Sequence, residues 1–293
     1  MGRFKALTLA SVLALGAAQA AQAADLLPPP PPLEEPSLRG AVIDEPSGFY
    51  LRGDIGVGIN DVSSRSSTFA DPATMSSLNA WYGSSEASAS YLLGIGGGYK
   101  VNNWFRVDAT GEYRGNALYK SKNYYTQANS PACVGLPSGT CGDKYSGSVN
   151  IGLFLLNAYL DAGTWYGVTP YIGAGVGAAA WSMGNVTDQS MQVQVAGNQD
   201  PIGSGVSDAT SGVNLAWALM GGLSWDVAEN VKIDLGYRYV DMGRINTGTI
   251  LCNATCWYER QHFDLASSDV RLGLRWMAAA APAFEPLPVR AKY

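Results

Sequence analysis

The sequence predicts an all-β fold: a transmembrane, eight-stranded, up-and-down antiparallel β-barrel. Three observations carry that prediction. Eight segments show two-residue alternation, the connections between them are long and short in turn, and aromatic residues collect at both ends of the segments.

The front end comes first. Arg3 and Lys5 precede an apolar run from Ala6 to Gly16, and small residues follow as Ala21-Gln22-Ala23. This reads as a secretory signal peptide over residues 1–23, because the run is too short to span a bilayer as a helix. Cleavage after Ala23 would expose Ala24-Asp25, and cleavage after Ala20 is the alternative. Loss of Arg3 and Lys5 takes the formal charge from −5 to −7, which argues against nucleic acid as a partner. Residues 24–47 hold five consecutive prolines, Pro28 to Pro32, and then Pro36 and Pro46. Proline supplies no ladder donor, so this stretch is expected to be an extended periplasmic arm.

The alternating segments span approximately 48–59, 90–101, 104–115, 148–161, 169–182, 213–226, 231–242 and 267–277. Each is long enough to cross as a tilted strand of about 9–11 residues. About 30 residues separate the first two, yet only Asn102 and Asn103 separate the second from the third, and the alternation continues to the end. An up-and-down barrel therefore puts four long loops on one rim and three tight turns on the other. With the first strand starting at the periplasm, Phe49, Tyr99, Phe105, Trp165, Tyr171, Trp225 and Trp276 are expected in one aromatic girdle. Tyr91, Tyr113, Trp181, Trp217 and Tyr239 are expected in the other.

In the first strand, GFYLRGDIGVGI, Leu51 and Ile55 share one parity while Arg52 and Asp54 share the other. Val107, Leu219, Leu223, Ile233, Leu235, Val270, Leu272 and Leu274 continue the lipid-facing parity. Lys100, Arg106, Asp108, Glu112, Arg114, Lys232, Asp234, Arg238, Asp269, Arg271 and Arg275 continue the charged one. Eight strands enclose a space that side chains can fill, so these charges are expected to neutralise one another without an open pore. Residues 148–161 are ambiguous, since Val149 to Leu155 favour one face and Leu156, Ala158 and Leu160 the other; a bulge would reconcile them.

Four cysteines in an exported chain point to two disulfides, and the short spacings favour Cys133 with Cys141 and Cys252 with Cys256. No histidine or carboxylate near either pair has metal-ligand spacing, so no metal or cofactor is expected. The glycines of YIGAGVGAA and of Gly94 to Gly98 are followed by no helix pattern, which makes them spacers rather than a phosphate loop. His262, with Glu259, Asp264, Ser267 and Ser268 nearby, is the only feature that would serve a lipid-modifying enzyme; a position on a solvated loop explains it as well.

The chain resembles the opacity-like, small-porin-family outer-membrane barrels of alphaproteobacteria. The resemblance is carried by ADLLPPPP, GFYLRGDIGVGI, LGIGGGYKVNNWFRVDATGEYR, LNAYLDAGTWYGVTPYIGAGVGAA, VKIDLGYRYVDMG and DVRLGLRW, and covers roughly 48–277. It implies a barrel in the outer membrane of a Gram-negative bacterium, among lipid and lipopolysaccharide, with structural, surface-exposure or host-contact roles and no enzyme activity. It also implies that a mature terminus beginning Ala24-Asp25 is a peptidoglycan attachment point. Such barrels often end on an aromatic residue closing the last strand, whereas here Trp276 and Met277 are followed by a tail, 278–293. A low-conductance diffusion channel is the alternative function.

Overall fold

The computed structural model describes residues 47–69, 81–126, 140–193, 199–252 and 259–278. The signal segment, the proline arm with Ala24, both Cys133 and Cys256, and most of the carboxy-terminal tail lie outside these residues.

Twelve strands are present among the described residues: β1 Gly48–Phe69, β2 Trp81–Ala87, β3 Ser90–Lys100, β4 Phe105–Thr126, β5 Thr140–Asp161, β6 Val168–Met183, β7 Thr187–Val193, β8 Gln199–Ser207, β9 Thr210–Ala228, β10 Val231–Asn246, β11 Ile250–Cys252 and β12 Glu259–Met277. Eight of them close a ring in the order β1-β3-β4-β5-β6-β9-β10-β12, with β12 returning to β1 and every pairing antiparallel. The other four continue the wall upward. β2 flanks the upper part of β4, and β7, β8 and β11 bridge from upper β5 to upper β12.

The segments expected to be long loops are therefore largely strand. β1, β4 and β5 each run for 22 residues, about twice what the bilayer requires. The alternation continues past the membrane, with its chemistry inverted, which is why a search for oil on one fixed face stops too early. Register shifts at Ser63/Ser66 in β1, Arg114/Ala117 in β4 and Asp241/Arg244 in β10 mark the change from membrane wall to extension. Bulges of this kind add twist and re-aim side chains.

At the other rim the connections are tight. Asn102 Oδ1 accepts from the backbone N–H of Trp104 and Phe105 at 3.0 and 2.8 Å, which closes the β3–β4 turn. Only Glu229 and Asn230 join β9 to β10.

Side chains confirm which parity meets lipid. Leu51, Ile55, Val57, Leu219, Leu235, Val270, Leu272 and Leu274 are exposed on the outside. The ambiguous strand β5 has no bulge in its pairing with β6; the irregularity sits on its neighbour β4. Phe154, Leu156 and Leu160 of β5 face out, and Val149, Ile151, Leu153 and Leu155 are buried inside. Two aromatic assignments are corrected as well. Tyr171 and Trp181 do not join the girdles but are buried in the interior, where a cation and an apolar layer provide better surroundings than lipid headgroups. Phe49, Tyr99, Trp165 and Trp276 stay exposed near the turn rim, and Tyr91, Tyr113, Trp217 and Tyr239 toward the other.

Candidate functional site: the filled interior

The barrel bore is the candidate site, and it is built in layers. Nearest the turn rim, the Arg106 guanidinium lies over Tyr159 and Tyr171, 4.0 and 4.8 Å from the ring centroids, and its Nε donates to Asp161 Oδ1 at 3.1 Å. Cation–π contact of this kind holds a buried guanidinium whose other nitrogens find no protein acceptor. Lys232 pairs with Asp226 at 2.5 Å, and Arg275 donates to Asp234 Oδ1 at 3.0 Å and Ser224 Oγ at 2.8 Å. Tyr50 and Arg52 both donate to Asp108 Oδ2, at 3.0 and 2.9 Å.

One level higher, Arg52 grips Asp54 through Nε and Nη2 at 2.9 and 2.7 Å, and Arg271 reaches the same carboxylate at 3.1 Å. Above that, Arg238 Nη2 donates to both Glu112 oxygens at 2.7 and 2.8 Å and to Asp269 Oδ2 at 2.7 Å. Arg114 closes the square by binding Glu112 Oε1 at 2.7 Å and by pairing with Asp269. Ser267 Oγ donates to Asp269 Oδ1 at 2.7 Å. Every acidic and arginine residue of the expected charge list is thus buried and has an ionic partner. Buried ions persist only when such partners offset the loss of water.

Room for these side chains comes from glycines at the same heights. A Cβ on Gly58 would stand 2.6 Å from both Asp269 Oδ1 and Ser267 Oγ, and one on Gly98 would stand 2.5 Å from the Tyr50 ring. The glycines therefore act by close approach, and no helix follows them.

An apolar layer packs beside the ions and continues past them. Leu153 is opposite Glu112 and Ile151 opposite Arg114 in the register, and both belong to one buried cluster with Leu155, Trp181, Ala216, Ala218, Val240, Met242 and Leu265. It continues into the extension through Met183, Ile245 and Tyr119 stacked on Phe263, with ring centroids 4.4 Å apart and planes 5° apart.

A polar cap lies at the top. Tyr145 Oη donates to Glu259 Oε2 at 2.6 Å, while Tyr119 Oη and Ser121 Oγ donate to Gln261 Oε1 at 2.9 and 3.1 Å. Burial, with the charges of Asp143 and Glu259, pushes the Asp188 carboxyl up to about 9; burial likewise raises Glu259. Sequence reading missed this cap. Its signal was available in β4, where Tyr119, Ser121 and Asn123 alternate with Leu118, Lys120 and Lys122.

The candidate hydrolase residues do not assemble. His262 is on strand β12, not on a loop, opposite Ser66 and Asn246. Its ring nitrogens meet Thr68 Oγ1 at 2.9 Å and Asn246 Oδ1 at 2.6 Å. Burial and the Arg244 and Arg260 charges lower its pKa. Asp264 is held by Arg244 at 2.9 Å, and Ser267 by Asp269. Cys141 is buried, and no cysteine among the described residues is a free thiol. No cluster with metal-ligand geometry occurs among the described residues.

The profile of the outer membrane protein beta-barrel domain family matches residues 7–257. The chain belongs to that family. Its place is accordingly the outer membrane of a Gram-negative bacterium, with outer-membrane lipid around the apolar wall. It is similar to an uncharacterised protein of Brucella abortus, 29% identical over 238 residues that cover 78% of this chain and 77% of the relative. It is also similar to the outer membrane protein PagN of Salmonella typhimurium, 23% identical over 239 residues, 78% of this chain and 89% of the relative. Among solved structures, Neisserial surface protein A aligns over 80% of this chain and 100% of its own, at 17% identity and a TM-score of 0.41.

Proposed function

We propose that the protein is a non-catalytic structural barrel that stabilises the outer membrane and displays a tall extracellular wall. The observation that carries this reading is the bore itself, in which paired ions are packed against a buried apolar layer from Ile151 to Leu265. A solute path would need to hydrate that layer, and ions avoid unhydrated apolar surface. This favours a sealed barrel over the low-conductance channel. The dispersal of His262, Asp264 and Ser267 among separate partners supports the absence of a hydrolytic function.

Planar-bilayer recording tests the seal. No unitary current is expected from the refolded protein, and reproducible steps would replace this reading with the channel. Further proposals concern the connections and the amino-terminal arm, parts of which lie outside the described residues. Local disulfides, Cys133 with Cys141 and Cys252 with Cys256, would order the extracellular connections, and non-reducing peptide mapping should recover each loop separately. The arm from Ala24 would tether the barrel to peptidoglycan, while the extracellular connections would meet surface ligands. Mass spectrometry of muramidase-digested sacculi should then find Ala24 joined to a muropeptide; only free mature termini would reject the tether.

A further inference from the structure

Three lysines stand together on the outside of the extension. Lys120 and Lys122 alternate with the buried Ser121 and Asn123 on β4, so their side chains point away from the bore. Lys144 of β5 is directly opposite Lys122 in the register and alternates with buried Tyr145. Lys120 is exposed and the other two are half-exposed. None of the three ammonium groups makes an ion pair among the described residues. The neighbours across the ladder are Glu86 beside Lys120, Gln189 beside Lys144 and Ser146 beside Lys120 on its other side. One carboxylate at the edge therefore faces three cations.

Like charges directly opposite on neighbouring strands repel. A chain with a formal net charge of −5 has no general need for such a patch. The opposite wall shows the contrast: Arg244 is taken by Asp264 at 2.9 Å, Arg260 donates to Thr249 at 3.1 Å, and Asp61 and Asp241 flank Ala266 of β12 from either side.

Height decides what the lysines face. Leu118, 39% exposed and just past the Arg114/Ala117 register shift, is the last aliphatic residue on the outward face of β4, and Lys120 and Lys122 follow two and four residues later, ahead of Tyr124. At a rise of about 3.3 Å per residue and a tilt near 40°, they stand roughly 5 and 10 Å above the apolar contact. In an outer membrane, that is the layer of lipopolysaccharide phosphates and acidic core sugars.

We propose that Lys120, Lys122 and Lys144 form a lipopolysaccharide-phosphate site, in which a phosphate bridges the Lys122–Lys144 pair and a neighbouring one engages Lys120. The site deepens the structural role above and rests on its outward orientation, so the two must fail separately. Orientation is read in intact cells by labelling Lys122→Cys with a membrane-impermeant maleimide. Labelling is expected, and its absence would overturn the site by putting these residues in the periplasm, whatever lipopolysaccharide does in vitro.

Binding is read by titrating fluorescent lipopolysaccharide against the full mature chain in phosphatidylcholine nanodiscs. A charge near an anionic surface contributes about fivefold per lysine, so replacing all three by serine should weaken binding roughly a hundredfold. Replacing all three by arginine should preserve it, dephosphorylated lipopolysaccharide should bind the wild type as weakly as the serine variant binds the native form, and Arg244→Ser should change little. Heat-modifiable gel mobility verifies folding; if the triple serine variant fails to fold, Lys122→Gln alone should cost about fivefold. Affinity of the triple serine variant within threefold of wild type would overturn the proposal. So would dependence on these lysines for a sulfated glycan such as heparin but not for lipopolysaccharide.

Discussion

The membrane half of the barrel and the extension beyond it use one strand geometry with opposite chemistry. In the membrane half the inward parity carries Arg52, Asp54, Glu112, Arg238 and Asp269, and the outward parity carries Leu51, Ile55, Leu272 and Leu274. In the extension the inward parity carries Tyr119, Phe263, Ile245 and Ile250 below the polar cap of Glu259 and Gln261, and the outward parity carries Lys120, Lys122 and Arg260. The surroundings explain the exchange. Lipid accepts oil on the outside, so polar groups go in and must satisfy one another; water above the membrane reverses the preference, and the extension packs like a small soluble barrel. The register shifts in β1, β4 and β10 lie where one regime gives way to the other.

The sharpest way to break the comparison is to remove one inward residue from each half. Asp269→Ala leaves Arg114 and Arg238 to share the single carboxylate of Glu112, and breaking a buried ionic cluster costs about 3–5 kcal/mol. Urea unfolding in lipid vesicles should show that loss across the whole barrel. Phe263→Ala takes an aromatic partner from Tyr119 and costs a similar ~3–5 kcal/mol, but its effect should stay above the junction. Hydrogen exchange should accelerate in upper β4 and β12 while the membrane half keeps its protection.

Outward residues give a smaller contrast. Leu272→Arg faces hydrocarbon and should cost about 2–4 kcal/mol in vesicle unfolding. Leu251→Arg faces water on the extension and should change stability by less than about 0.5 kcal/mol. Equal costs at the two positions would contradict the placement of the junction.

The contrast with the narrowest reach is a pH dependence confined to the extension. Folded Asp188 keeps its proton up to about 9, whereas the unfolded chain releases it near ~4. Between those limits the folded form holds more protons, so stability falls as pH rises, by up to about tenfold in opening equilibrium per pH unit; below and above them this group contributes no slope. The raised Glu259 acts in the same direction. Hydrogen exchange of β7, corrected for intrinsic rates, should show the slope, and Asp188→Asn should flatten it.

Much of this arrangement is legible in the chain alone. Two-residue alternation is local, so GFYLRGDIGVGI already separates Leu51 and Ile55 from Arg52 and Asp54, and the spacing of such segments already gives eight staves joined by alternately short and long connections. Tertiary structure decided what local periodicity leaves open. Both parities of β5 are apolar, so only its neighbours could turn Leu153 inward and Leu156 outward. Tyr171 and Trp181 could serve a girdle or a core, and the position of Arg106 and of the apolar layer drew them inside. The partners within the bore are equally invisible in sequence, because Arg238 meets Glu112 across 126 residues only after tilt and closure bring distant strands to one height. Alternation states which way a side chain points; closure of the ring determines what it finds there.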